Sequence, residues 1–211
     1  MVGNDIVDLR DRDADIETYG PGFDARVFTD LERRALACAT DPERERWRMW
    51  SAKEASYKLA RQVDPTTIFS PRKFEVIIDN DDADSDPRAT VTHGATFYYV
   101  KFDETSDRIH AISVRREREI DEVLSGVHPS TASGPLSSAG GVVSESTNVR
   151  RLACDKIARH FELHRDALEI RKENRVPLLF EHNRRLALSV SLSHHGAWLA
   201  FACHEGATNV A

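Results

Sequence analysis

Three cysteines in 211 residues, at Cys38, Cys154 and Cys203, are too scattered and odd in number to staple a small fold or build a zinc knuckle. A reducing cytoplasm suits such a chain. No run approaches the ~18 apolar residues of a membrane helix, and the first residues lack the apolar core of a signal peptide, so a soluble protein is expected. Basic charge is also short. Against 35 Asp and Glu stand 29 Lys and Arg, a net charge of -6, which removes the electrostatic footprint that a nucleic-acid backbone requires. What remains is 40% hydrophobic and 30% charged, enough for one large domain or two small ones with a real core.

The chain opens on "GNDIVDL", a short strand carrying Asp5 and Asp8, followed by a charged, turn-rich exit. "TDLE" at Thr29–Glu32 is a capping box that starts one helix, and Asp41-Pro42 starts another that carries "RWRMWSAKEASYKLARQ". "KFEVIID", "ATFYYVKF" and "RIHAISVR" read as strands, with an acidic loop, "DNDDADSDP", after the first. Residues 125–146 are Ser- and Gly-rich and nearly uncharged, as a flexible linker would be. Beyond them come a helix, "NVRRLACDKIARHF", and a hairpin, "LALSVSLSHHGAWLAFACH". Strand, polar turn and strand recur in both halves, each with a helix upstream. Such hairpins are common, so the pattern alone does not separate duplication from coincidence.

Glu54 and Lys58 are four residues apart on one helix face. By spacing alone they are an ordinary ion pair worth ~0.3–0.5 kcal/mol. Trp47, Trp50, Ala55 and Leu59 give that helix an apolar stripe, which would seat it in the core with Glu54 at the margin. If Asp5 and Asp8 meet Glu54 there, the converging carboxylates require a cation. An all-oxygen donor set suits magnesium better than zinc, and magnesium completes its shell with substrate phosphate oxygens. Lys53 and Lys58 would supply positive charge to those phosphates.

With "GNDIVDL" and "WSAKEASYK" in this order, the sequence resembles the 4'-phosphopantetheinyl transferase superfamily, whose signatures are a Gly-x-Asp strand end and a Trp-x-x-Lys-Glu-x-x-x-Lys helix. The first stretch is similar to holo-acyl-carrier-protein synthases, with an acidic residue three places after the metal-binding aspartate. Surfactin-type enzymes carry it two places after, where this chain has Val7. The remainder resembles the two-lobed surfactin-type enzymes with their halves exchanged, a circular permutant, since "VRRLACDKIAR", "NRVPLL" and "SLSHHGAWLAFA" follow the metal motif instead of preceding it.

The resemblance implies an α+β fold of two pseudo-symmetric lobes, each with helices packed on a small, mostly antiparallel sheet. Residues 1–124 would form the metal-binding catalytic lobe, 125–146 the linker and 147–211 the coenzyme A lobe. It further implies Mg2+ on Asp5, Asp8 and Glu54, catalysis by Glu54 and Lys58, and coenzyme A as substrate. Lys53, Arg150, Ser193 and His194 would contact the coenzyme, and Arg175 would stand in for the lysine of a Gly-Lys-Pro turn that here reads Arg175-Val176-Pro177. Taken alone, His194 fits a strand-end histidine satisfied by backbone equally well, and His195 replaces the second serine of the family hairpin. An acyl or peptidyl carrier protein is the implied partner of a monomeric enzyme. Six arginines between Arg26 and Arg48, with Arg10 and Arg12, are either its docking patch or a solvated helix face. Another magnesium-dependent pyrophosphate-cleaving enzyme, or a relative that binds without chemistry, are the competing assignments.

Overall fold

The computed structural model describes residues 1–79, 86–130 and 144–205. Most of the acidic loop and of the Ser/Gly stretch lie outside these. The elements run β1 (Val2–Asp8), α1 (Phe23–Val27), α2 (Asp30–Cys38), α3 (Pro42–Val63), β2 (Glu75–Asp79), β3 (Arg88–His93), β4 (Thr96–Glu104), β5 (Arg108–Val114) and β6 (Leu124–Pro129). There follow α4 (Glu145–His160), β7 (Leu168–Glu173), β8 (Val176–Glu181), β9 (Arg184–His195) and β10 (Trp198–Glu205).

Local chemistry sets the helix starts. Thr29 Oγ1 accepts the Glu32 amide at 3.3 Å and Glu32 Oε2 accepts the Thr29 amide at 2.7 Å, completing the capping box of α2. Asp41 Oδ1 caps α3 at the Arg44 amide, with Pro42 in the first turn where no amide is needed. Trp47, Met49, Ala52, Ala55 and Leu59 then bury one face of α3 against the first sheet, with Phe28, Phe74 and Phe102 filling the layer between.

Two five-stranded antiparallel sheets result, ordered β1-β5-β4-β3-β2 and β6-β10-β9-β8-β7. Their orders match position for position, with α3 on the first and α4 on the second. This is the expected α+β architecture of two pseudo-symmetric lobes. The lobe boundary differs from the sequence-based one. Residues 124–129 pair with β10, from Cys203↔Leu124 to Trp198↔Pro129, and α4 begins at Glu145, so both ends of the supposed linker belong to the second lobe. A Gly- and Pro-containing segment is tolerated there because β6 is an edge strand.

β1 is the outer strand of the first sheet, and its free edge lies on β9. The Val2 and Asn4 amides donate to Ser189 Oγ and Ser191 Oγ, both at 2.9 Å, and the Asp8 amide donates to His195 Nδ1 at 3.0 Å. Gln62 at the end of α3 donates to the carbonyls of Val2 and Val190 and accepts from Ser189 Oγ, tying helix, β1 and β9 together. A separate apolar cluster of Val2, Ile112, Val114, Ile120 and Ala202 fills the seam between lobes.

Candidate active site

Side chains alternate along β1, and the alternation divides its acidic residues. Gly3 and Asp5 face α3. The approach at Gly3 is so close that a Cβ there would lie 1.9 Å from the Ala55 carbonyl oxygen. Glycine therefore lets β1 press against α3 and brings Asp5 to the helix face that carries Glu54 and Lys58. Lys58 Nζ donates to Asp5 Oδ1 at 2.7 Å and to the Asn4 carbonyl at 3.0 Å. The Glu54 carboxyl is pushed up to about 7, first by burial and then by the negative charge of Asp5, with Lys58 partly opposing both. Two carboxylates and one ammonium leave the group one positive charge short. Their all-oxygen donor set and the raised Glu54 fit a hard divalent cation between Asp5 and Glu54.

Beside Lys58 opens a cleft of about 260 Å³ between the lobes. Lys58 and Arg61 from α3, Arg150 from α4, Lys172 and Arg175 from the β7–β8 hairpin, and His194 from β9 line it, and among the described residues no carboxylate does. Arg61 spans the gap, donating to Tyr57 Oη at 2.9 Å and to the Asn174 carbonyl at 3.1 Å. Asn174 and Arg175 both have left-handed backbone, with φ of 49° and 67°, as a two-residue hairpin turn requires. The arginine holds that strained conformation while lining the cleft. Such a wall suits a ligand with several phosphates.

A family model of the 4'-phosphopantetheinyl transferase superfamily matches residues 1–114, just over half the chain and the whole of the lobe that carries Asp5, Glu54 and Lys58. The chain belongs to this superfamily. Among solved structures it is similar to the crystal structure of holo-[acyl-carrier-protein] synthase from Neisseria meningitidis, at 22% identity and a TM-score of 0.42, over 55% of this chain and 97% of that one. No curated protein sequence matches it.

Three residues that the transferase motifs suggested lie elsewhere. Asp8, three places after Asp5, falls on the opposite face of β1, where Oδ1 accepts the Arg10 amide at 3.0 Å and Oδ2 the Ala197 amide at 2.8 Å. It fastens the β9–β10 turn instead of joining Asp5 and Glu54. Gly196 is required there, with φ of 52° and room for no Cβ, which would lie 2.5 Å from Asp8 Oδ2. Lys53 points into the core, fully buried, with its Nζ 2.6 and 2.8 Å from the Glu32 oxygens, 3.1 Å from the Pro71 carbonyl and 2.6 Å from that of Phe74. Every proton of its ammonium is committed. Ser193 faces Asn4 Nδ2 at 3.5 Å and is absent from the cleft wall.

Asp11, Asp13 and His195 also gather near the surface. His195 Nδ1 accepts the Asp8 amide and is therefore already engaged. The arginine patch is smaller than its sequence suggests. Arg44 and Arg48 bind Glu104, Arg46 binds Asp24 and Arg33 pairs with Asp30 at the surface; Arg26, Arg33 and Arg34 are exposed around α1 and α2.

Sequence reasoning overlooked Arg61, Lys172 and the pair Asn4–His110. Arg61 follows Glu54 by seven residues and Lys58 by three, which is the helical spacing of one face. Behind Asp5, Asn4 Nδ2 lies 3.1 Å from His110 Nε2, and burial pushes that imidazole down to about 3, so it stays neutral and accepts. No sequence signal links these two residues, which are 106 positions apart.

Proposed function

We propose that the chain transfers the 4'-phosphopantetheine arm of coenzyme A to a serine hydroxyl of an acyl or peptidyl carrier protein, with Mg2+, releasing adenosine 3',5'-bisphosphate. The observation that carries this reading is the convergence of Asp5, Glu54 and Lys58 beside a cleft walled by cations. Asp5 and Glu54 would hold the magnesium, which would supply charge neutralisation to the pyrophosphate. The serine oxygen forms a bond to the pantetheine-side phosphorus while the bond from that phosphorus to the bridging oxygen breaks. Glu54 takes the serine proton, directly or through a water, and Lys58 stabilises the charge growing on the departing phosphate. Arg61, Lys172 and Arg175 hold the nucleotide end of the coenzyme.

Both walls of the cleft come from one chain, which favours a monomer. The seam also supports permutation, since Ala202 near the end of β10 packs with Val2 at the start of β1, placing the junction of the unpermuted order within short reach. Arg26, Arg33 and Arg34 would meet an acidic carrier protein, so docking should weaken with salt.

The test is mass spectrometry of a panel of apo-carrier proteins incubated with coenzyme A and MgCl2. A gain of the phosphopantetheine mass that depends on magnesium is expected, and Glu54→Gln should abolish it without unfolding the protein. Full activity in Glu54→Gln would remove the mechanism. Coenzyme binding without transfer to any carrier would leave a binding protein.

A further inference from the structure

The cleft takes its cations from both lobes, so its width depends on how the lobes are fastened to each other. Lys58 and Arg61 stand on α3, while Arg150, Lys172, Arg175 and His194 belong to the second lobe. Among the described residues, α3 makes its hydrogen bonds to the second lobe through Arg61 and Gln62 alone. The Arg61 bond to the Asn174 carbonyl is exposed, and water competes for it. Gln62 is half-buried in the cleft wall. Its Nε2 donates to the Val2 carbonyl at 2.7 Å and to the Val190 carbonyl at 3.1 Å, and its Oε1 accepts from Ser189 Oγ at 2.6 Å. Two carbonyls can be met only by the amino end of a carboxamide, which fixes the way the group lies. Ser189 Oγ in turn accepts the Val2 amide at 2.9 Å. The Gln62 side chain thus closes a ring of bonds through α3, β1 and β9.

We propose that Gln62 is a positioning residue that sets the spacing of the two cationic walls, and with it the affinity for a ligand whose phosphates touch both. This rests on the coenzyme A reading, whose ligand carries phosphates at two places. Asp5, Glu54 and Lys58 all lie in the first lobe, and β1 keeps its ladder to β5 without Gln62. Loss of the amide therefore slackens the grip on the coenzyme while the reacting groups stay together. Gln62→Leu keeps a side chain of similar size and removes every one of these bonds.

The test is transfer from coenzyme A to an apo-carrier protein with MgCl2, followed by mass spectrometry over a range of coenzyme concentrations, for the wild type, Gln62→Leu, Ser189→Ala and the double variant. Gln62→Leu should raise KM for coenzyme A roughly tenfold and keep kcat within about threefold of the wild type. Ser189→Ala should raise KM less, and the double variant no more than Gln62→Leu alone, because residues in contact act as one unit. An amide that served the fold alone would lower kcat through the folded fraction at unchanged KM. That result, a wild-type KM in Gln62→Leu, or multiplying effects in the double variant would overturn the proposal. If Gln62→Leu does not fold, Ser189→Ala decides, and an unchanged KM there overturns it. A wild type that transfers to no carrier would overturn the coenzyme A reading on which the role rests.

Discussion

Replacing Gly3 by alanine tests the seam on which the proposed catalytic group is built. The added Cβ would lie 1.9 Å from the Ala55 carbonyl oxygen, while ordinary carbon–oxygen contacts begin at roughly 3.3 Å. β1 and α3 must therefore separate by about 1.4 Å, and both are backbone that cannot rotate out of the way. Overpacking of this kind costs about 1–3 kcal/mol of stability. The same movement draws Asp5, two residues along β1, away from Lys58 Nζ, now at 2.7 Å, and away from Glu54. A displacement near 1 Å at reacting groups costs on the order of 100-fold in rate. Urea unfolding and mass-spectrometric transfer assays should show a modest loss of stability with a disproportionate loss of turnover. Gly94→Ala is the control, because position 94 has open space and only a φ of 61° to strain, so it should lose stability alone. If Gly3→Ala turned over at the wild-type rate with the expected loss of stability, Asp5 and Glu54 would not be acting as one group.

Other perturbations separate binding, catalysis and folding. Glu54 takes up its proton near 7 in the fold against an ordinary value of 4.5, so between these pH values the folded state binds the extra proton. Stability of the metal-free protein should then fall as pH rises through this window, by up to roughly 1.4 kcal/mol per pH unit; chemical unfolding at several pH values checks this, and Mg2+ or Glu54→Gln should flatten the slope. Lys53→Met strands the buried Glu32 carboxylate and should cost about 3–5 kcal/mol in urea unfolding, whereas a phosphate-binding lysine would instead raise KM for coenzyme A at unchanged stability. Arg175→Gly should raise the unfolding temperature by relieving about 1 kcal/mol of left-handed strain while weakening coenzyme binding in titration; loss of both properties would show that Arg175 serves the fold.

The helix starts and the β9–β10 hairpin were legible because their signals are local: a capping box, an Asp-Pro, a run of alternating residues around a glycine. β7–β8 was obscured because its turn, Asn174-Arg175, adopts left-handed backbone without glycine. β6 hid inside a Ser/Gly stretch because an edge strand tolerates Gly126 and Pro129. Two misplacements in the candidate site had readable signals. Asp5 and Asp8 differ by an odd number on a strand and so cannot share a face. Lys53 falls in the series Met49, Ala52, Lys53, Ser56, Ala60, whose spacing marks the buried side of α3. The motif assigned Lys53 to the coenzyme beside a catalytic Lys58, but its actual partner, Glu32, is 21 residues away and carries no motif signal. The basic cleft was legible only in fragments, since its walls come from four separated segments.

The serine ladder along β9 has a consequence for how molecules of this protein meet one another. An outer strand normally offers its amides as a template for foreign chains, inviting fibres. Here hydroxyl and imidazole groups from the neighbouring lobe already occupy the amides of Val2, Asn4 and Asp8. Because Ser189, Ser191 and His195 lie two and then four residues apart on one face of β9, they accept only one alignment of the two lobes, and an intruding strand would find no amide vacant at these positions.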